Sequence, residues 1–428
     1  MTTVAFLSLF FGLISGPYPV ELAVEGPVAA VELQLDGQPA GRIQGPPWTS
    51  TLDFGQSLQP HQIVARALDA QGHEISRAEE WANLPHPLTK VDIVLERDGD
   101  APPKAARVAW KNLVGETVRS VALTFDGEPV KLDRQLRGEL PKHDLKSLHV
   151  LAAQVTFKSY RSVRRDLAYG GEYGSEVSTE LTGVPVYLKT GNLPSAEQLG
   201  GWLSDGGKPL SVNAVEEGPA QLFVVLGVHG EELVTKASKF RNLTSKLLSK
   251  GDELLFVSAA ALRVASGTER TDLFTVTQPM NGPVDDLFRA MRKSGLPEPT
   301  PGSLRFADAV ASAGLMAMHE NRRRAVLLVL SGEPEDMSVY DPGSVRRFLA
   351  ALRVPLFVWY LGTPRPGSEA AAWKAEEISQ SWHVASSSER IHKDLEAQRI
   401  VMVDGRHLPQ SVTLAPAATG LELVGATP

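Results

Sequence analysis

Residues 222–226 form an unbroken apolar run, Leu-Phe-Val-Val-Leu, that ends abruptly at Gly227. A strand without polar alternation has no face to give to water, so apolar layers must cover both of its sides. That requirement organises the carboxyl-terminal half of the chain. Ligands of open α/β sheets bind beyond the carboxyl ends of the strands. The loop that follows, Gly227-Val228-His229-Gly230-Glu231-Glu232, is therefore the first place to look for a site.

Two more apolar runs follow, at 325–330 and 355–361, with further strand candidates at 253–259 and 273–277. Between them lie amphipathic stretches. Residues 235–249 place Phe240, Leu243, Leu247 and Leu248 on one helix face, and residues 284–293 do the same with Leu287, Phe288 and Met291. A helix is expected over 304–320 with Ser303 as its N-cap, and others over 344–352 and 370–381. Alternation of this kind predicts a doubly wound, mostly parallel sheet.

The first half has a different texture. Residues 28–35 alternate apolar and polar, Asp36-Gly37 supplies a hairpin turn, and short strands with turns continue to Trp81. This predicts a small β-sandwich over 17–87, with Trp48 and Trp81 as packing residues. The segments Val31-Glu32-Leu33-Gln34-Leu35-Asp36-Gly37 and Ala67-Leu68-Asp69-Ala70-Gln71-Gly72 resemble the hairpin and turn of bacterial immunoglobulin-like modules. Prolines 85 and 87 mark a linker, and the grammar then restarts: Val121-Ala122-Leu123-Thr124-Phe125-Asp126-Gly127 repeats the first hairpin. A second sandwich is expected over 88–188. Arg161, Arg164 and Arg165, beside Lys158 and Tyr160, fit a charged strand edge rather than a nucleic-acid footprint.

A chain of 428 residues exceeds one core, and its net charge of -7 gives no reason to expect nucleic acid as a partner. It has no cysteine, which excludes disulfides, thiolate catalysis and cysteine-bound metals. The apolar stretch 4–14 is too short to span a bilayer and has the length of an export-signal core, although no Lys or Arg precedes it. Residues 1–16 are expected to be such a signal, placing the protein outside the cytoplasm with no integral membrane span. A buried first strand is the alternative.

The order of strands and helices over 218–400, with Gly302-Ser303-Leu304-Arg305-Phe306 and Leu330-Ser331-Gly332-Glu333, resembles the von Willebrand factor A domain. The whole order of modules is similar to von Willebrand-type proteins of acidobacteria. The resemblance implies a divalent-metal adhesion site at the carboxyl end of the sheet, built from D-x-S-x-S, a Thr and a late Asp, since a hard cation takes oxygen ligands. Here Gly227, His229 and Glu231 stand in the first motif, Ser303 replaces the Thr and Ser331 the Asp. Both carboxylates are missing, so a degenerate site with no metal and no cofactor is expected.

The fold expected is thus two all-β immunoglobulin-like sandwiches followed, over 189–428, by a doubly wound α/β domain with a carboxyl-terminal β extension. No dinucleotide, P-loop, zincin or nucleophile-elbow motif occurs. Ser303 and Asp308 fall on different helix faces, and His319 and His383 occur singly, so no hydrolytic set forms. The expected function is non-enzymatic: protein–protein interaction or scaffolding, with partners in the cell envelope or a surface assembly. The competing readings are an enzyme using His229 and Glu231, and a metal-dependent adhesin using the cleft near His229 and Ser303.

Overall fold

The computed structural model describes residues 3–8, 10, 12–85, 89–96, 101–112, 117–158, 162–170, 173–178, 181–189, 195–227, 235, 240, 245–266, 269–296, 304–319, 321–332, 335–416 and 418–425. It divides into two compact units. One is Met1–Pro85 with Thr182–Val403 and His407–Pro428; the other is His86–Leu181 with Asp404–Arg406.

The first unit opens with strands β1 (Thr3–Phe6), β2 (Pro17–Glu25), β3 (Ala30–Leu35), β4 (Gln38–Ile43), β5 (Thr49–Asp53), β6 (His61–Leu68) and β7 (Glu74–Ala82). They form two sheets, β1-β2-β5 and β4-β3-β6-β7. Period-two alternation sends Val31, Leu33, Ile63 and Ala65 inward to meet Val20, Leu22 and Leu52. The stretch expected to be an export signal belongs to this core. β1 pairs with β2 from Thr3↔Glu25 to Phe6↔Leu22, and Val4, Phe10 and Ile14 are buried. The Ile14 N–H donates to Asn83 Oδ1 at 2.7 Å, and Asn83 Nδ2 donates back to the Ile14 carbonyl at 2.7 Å.

The second unit holds β8 (Thr89–Glu96), β9 (Ala105–Asn112), β10 (Val118–Phe125), β11 (Glu128–Val130), β12 (Arg137–Glu139), β13 (Leu148–Phe157), β14 (Ser162–Gly170) and β15 (Tyr173–Ser178). Sheets β12-β9-β8 and β11-β10-β13-β14-β15 enclose Val108, Leu123, Phe125, Leu151, Val155 and Phe157. The repeated hairpin is the same device in both sandwiches. Asp36 and Asp126 adopt φ of 51° and 48°, each followed by a left-handed glycine, as the right-handed twist of a hairpin favours. Asp36 Oδ1 accepts the Gln62 N–H at 2.8 Å while Oδ2 lies 2.7 Å from His61 Nδ1. Asp126 does likewise with the Val150 N–H at 2.8 Å and His149 Nδ1 at 2.7 Å.

The rest of the first unit carries β16 (Leu181–Leu188), β17 (Leu203–Asp205), β18 (Lys208–Pro209), β19 (Val212–Glu216), β20 (Ala220–Gly227), β21 (Glu253–Ser266), β22 (Glu269–Val276) and β23 (Met280–Asn281). Helices α1 (Leu287–Arg292) and α2 (Phe306–Ala317), β24 (Arg323–Leu330), α3 (Pro342–Ala351) and β25 (Leu356–Tyr360) follow. The chain ends with α4 (Glu369–Ala372), β26 (Glu376–Glu377), α5 (Ser381–Ala397), β27 (Gln398–Asp404), β28 (Val412–Leu414) and β29 (Leu421–Leu423).

β20 is buried along its whole length in a mixed sheet of order β22-β21-β20-β24-β25-β26. It runs parallel to β21 and β24, and β24 runs parallel to β25. Phe223, Val225, Val326 and Leu328 face α2 and α3, while Leu222, Val224, Leu327 and Trp359 face α1 and α5. Either side of this sheet in sequence, β16 and β19 join β27 and β29 in one sheet, and β17 and β18 join β28 in another. They enclose Val184, Val186, Leu203, Val401, Val403 and Val412 as a further β-sandwich.

These observations correct the expected fold class, which ended in a doubly wound α/β domain of von Willebrand type. The chain is 45% strand and 16% helix. The fourteen-residue β21 turns straight back into antiparallel β22, so a hairpin stands where a helical crossover was expected. The residues flanking the sheet build a sandwich of their own. Of the predicted helix 235–249, Ser245 to Ser249 are not helical, and most of the remainder lies outside the described residues.

Candidate functional site

The carboxyl end of β20 is closed by packing. Gly227 is in register with Leu330 of β24, and a Cβ built on it would lie 2.9 Å from Leu330 Cδ2 and 3.0 Å from the Phe306 ring. The position that the resemblance reserved for a metal-binding Asp therefore has no room for a side chain. Ser331, at the other carboxylate position, is 1% exposed. His229, Glu231 and Ser303 lie outside the described residues, as do Glu232 and Glu333. Among the described residues, no three His, Asp or Glu side chains gather as a metal site would need.

A loop, residues 335–341, is locked onto the start of α2. Asp336 accepts the N–H groups of Phe306 at 2.9 Å and Ala307 at 3.3 Å. The Ser338 hydroxyl accepts those of Ala307 and Asp308 at 3.0 and 3.2 Å and donates to Asp336 at 2.6 Å. In return the buried Asp308 accepts the N–H groups of Val339 and Tyr340 at 3.0 and 3.3 Å and takes a 2.7 Å bond from Arg305 Nε. An acidic group suits the positive end of the helix dipole. Burial pushes the Asp336 carboxyl up, against the hydrogen bonds from Ser338, Phe306 and Ala307. The same loop leaves Met337 and Val339 exposed by 53% and 74%.

Beside this loop a cavity of about 310 Å³ opens at the ends of β24 and β25. Leu330, Tyr360, Pro366 and Ala370 give it apolar walls, and Arg365 and Glu369 bring charge. The Tyr360 hydroxyl is spent on the Gly332 carbonyl at 2.8 Å. Glu369 is the first residue of α4, which Ser368 caps through the Ala371 N–H. Burial pushes its carboxyl up and the Asp336 carboxylate adds to that, while the Trp373 indole pulls it down. Glu369 Oε1 and Trp373 Nε1 are both buried without a hydrogen bond of good geometry, although the indole is near enough to favour the ionised acid.

Sequence reasoning pointed to the end of β20 and missed Asp336, Tyr360 and Glu369. Their only trace was the Asp336-Met337-Ser338 turn signature, in which the Ser338 N–H returns to Asp336 Oδ1 at 3.0 Å. Trp81 is buried as expected and belongs with Leu58 and Leu84 to the core that includes α2.

No family model matches the chain, and no curated protein does. Solved structures show a distant likeness. The fibronectin(III)-like modules of CbhA from Clostridium thermocellum align at 12% identity over 40% of this chain and 94% of theirs, with a TM-score of 0.16. The central fibronectin-III array of RIM-binding protein aligns at 8% identity, covering 47% of this chain and 81% of its own, at a TM-score of 0.22. Proximal thread matrix protein 1 from the mussel byssus aligns at 16% identity over 43% and 47%, at 0.28. Fibronectin-III-like modules stand with the strand-rich fold that replaces the doubly wound expectation.

Proposed function

We propose that the chain is a non-enzymatic binding or scaffold protein that engages protein partners through the surface at the carboxyl end of its mixed sheet, without a metal bridge. One observation carries this reading: the cleft that would hold a cation is filled by Leu330 and Phe306 around Gly227. The loop beside it is tied down by backbone bonds on both sides and presents two apolar side chains, Met337 and Val339, to solvent. Exposed apolar groups on a fixed loop are the composition of a contact surface. The β-sandwiches supply rigid spacers and edges rather than chemistry. Among the described residues, no helix is long and apolar enough to cross a membrane.

The test is capture of partners by the full chain in EDTA and in Mg²⁺, followed by cross-linking to map the contacts. The expected result is the same partner in both buffers, cross-linked near 335–340, and lost with Met337→Ser plus Val339→Ser. Capture that requires Mg²⁺, or contacts mapped only elsewhere, would remove the proposal.

A further inference from the structure

We propose that the cavity between the ends of β24 and β25 receives an organic cation, an ammonium or guanidinium group presented by a lysine or arginine side chain of a partner protein. The inference deepens the binding reading above and rests on it. Two carboxyl groups, Asp336 and Glu369, lie close enough for one to disfavour ionisation of the other. Among the described residues neither has a Lys, Arg or His within ion-pair distance. Asp336 is already engaged by helix N–H groups, so Glu369 is the group with binding capacity left, and its buried Oε1 lacks a well-formed hydrogen bond. An acceptor left so in a buried position is costly, and a charged donor entering the cavity relieves it.

The walls decide which cation. At about 310 Å³ the cavity is at the small end of ligand sites and suits a single side chain. Leu330, Tyr360, Pro366 and Ala370 offer the methylenes of a long basic side chain an apolar lining. A Mg²⁺ ion would need near-octahedral oxygen coordination, which these residues do not offer. Titratable or charged groups around Glu369 are Asp336 from the loop after β24, Tyr360 from β25, and Arg365 from the loop before α4; the Trp373 indole faces it as well. Because burial raises the Glu369 carboxyl, a cation binds its ionised form in competition with protons. Binding therefore strengthens as pH rises through the range where Glu369 loses its proton.

Calorimetric titration of the full chain tests this, with blocked lysine, blocked arginine, blocked norleucine, a lysine-containing hexapeptide and MgCl₂ as probes. The expected result is saturation by both basic probes, none by norleucine, and tighter binding of the hexapeptide than of blocked lysine. Glu369→Gln should weaken the basic probes by at least about tenfold. The pH dependence of the unaltered chain gives the same answer should the variant fail to fold. No binding of either basic probe, equal binding of norleucine, or saturation by Mg²⁺ that Glu369→Gln abolishes would overturn the assignment. A hexapeptide no tighter than blocked lysine would overturn the protein source. Metal-independent partner capture would survive any of these, so the two readings fail separately.

Discussion

At the scale of single residues, what decides the chemistry at the end of β20 is an absent side chain. Gly227 lets Leu330 and Phe306 meet over the strand terminus, and any Cβ there must push one of them aside. Gly227→Asp, which restores the residue type of a metal-binding loop, should lose about 1–3 kcal/mol in urea unfolding through overpacking, with no recovery in Mg²⁺. Arg324 is the opposite case. It is fully buried in β24 with all three guanidinium nitrogens unpartnered, and burial lowers its pKa to about 10. A buried charge without a partner is a cost, so Arg324→Met should be neutral or stabilise the protein by about 1–4 kcal/mol in the same assay. The backbone bonds of Arg324 to Gln398, at 2.9 and 3.0 Å, are untouched by that change. Neither environment could be read from sequence, because both depend on which side chains arrive from other strands.

At the scale of elements, the apolar strands and the body of α2 were legible because their patterns are strong and local. The cap of α2 was not: Ser303 stood next to the helix, whereas the carboxylate that meets its first N–H groups is thirty residues further on, at Asp336. Asp336→Ala should cost about 0.5–2 kcal/mol, the usual range for a lost cap. The longest helix, α5, escaped notice for a related reason. Its inward stripe runs Val384, Ser387, Ser388, Ile391, Leu395, and two serines in the middle hide the apolar period. The hairpin device of the second unit predicts a pH effect. Burial pushes the Asp126 carboxyl up, but the bonds from His149 and the Val150 N–H, with the nearby histidine charge, hold it below the usual range. Its contribution is therefore present above the unfolded carboxylate pKa of about 3.9 and is lost as pH falls through the lower folded value. Asp126→Asn should lower the melting temperature of that unit by about 4–8 °C at neutral pH and flatten its acid loss of stability.

At the scale of the whole molecule, the two units have separate cores, so calorimetry should resolve two transitions, only one of which Asp126→Asn displaces. Removing residues 1–15 should depress the other, since it takes away β1 and the core side chains Val4, Phe10 and Ile14; Phe10→Ala alone should cost about 3–5 kcal/mol. The tandem sandwiches were foreseeable from turn chemistry repeated at close range. The further sandwich was not, because its halves are separated by the entire mixed sheet: Glu216 of β19 is the register partner of Ile400 of β27. No periodicity within a window joins segments so far apart.

That pairing also governs how the molecule carries tension. The chain enters the mixed sheet through β19 and leaves it through β27, and the two strands lie antiparallel, with Val212 opposite Val403 at the end nearest the rest of the chain. A pull on the chain either side arrives first at that end and must peel the two strands apart, bond by bond, before any load reaches β20. The binding surface is thus mechanically insulated, and a partner held there would feel the stretch of its scaffold only after the neck had unzipped.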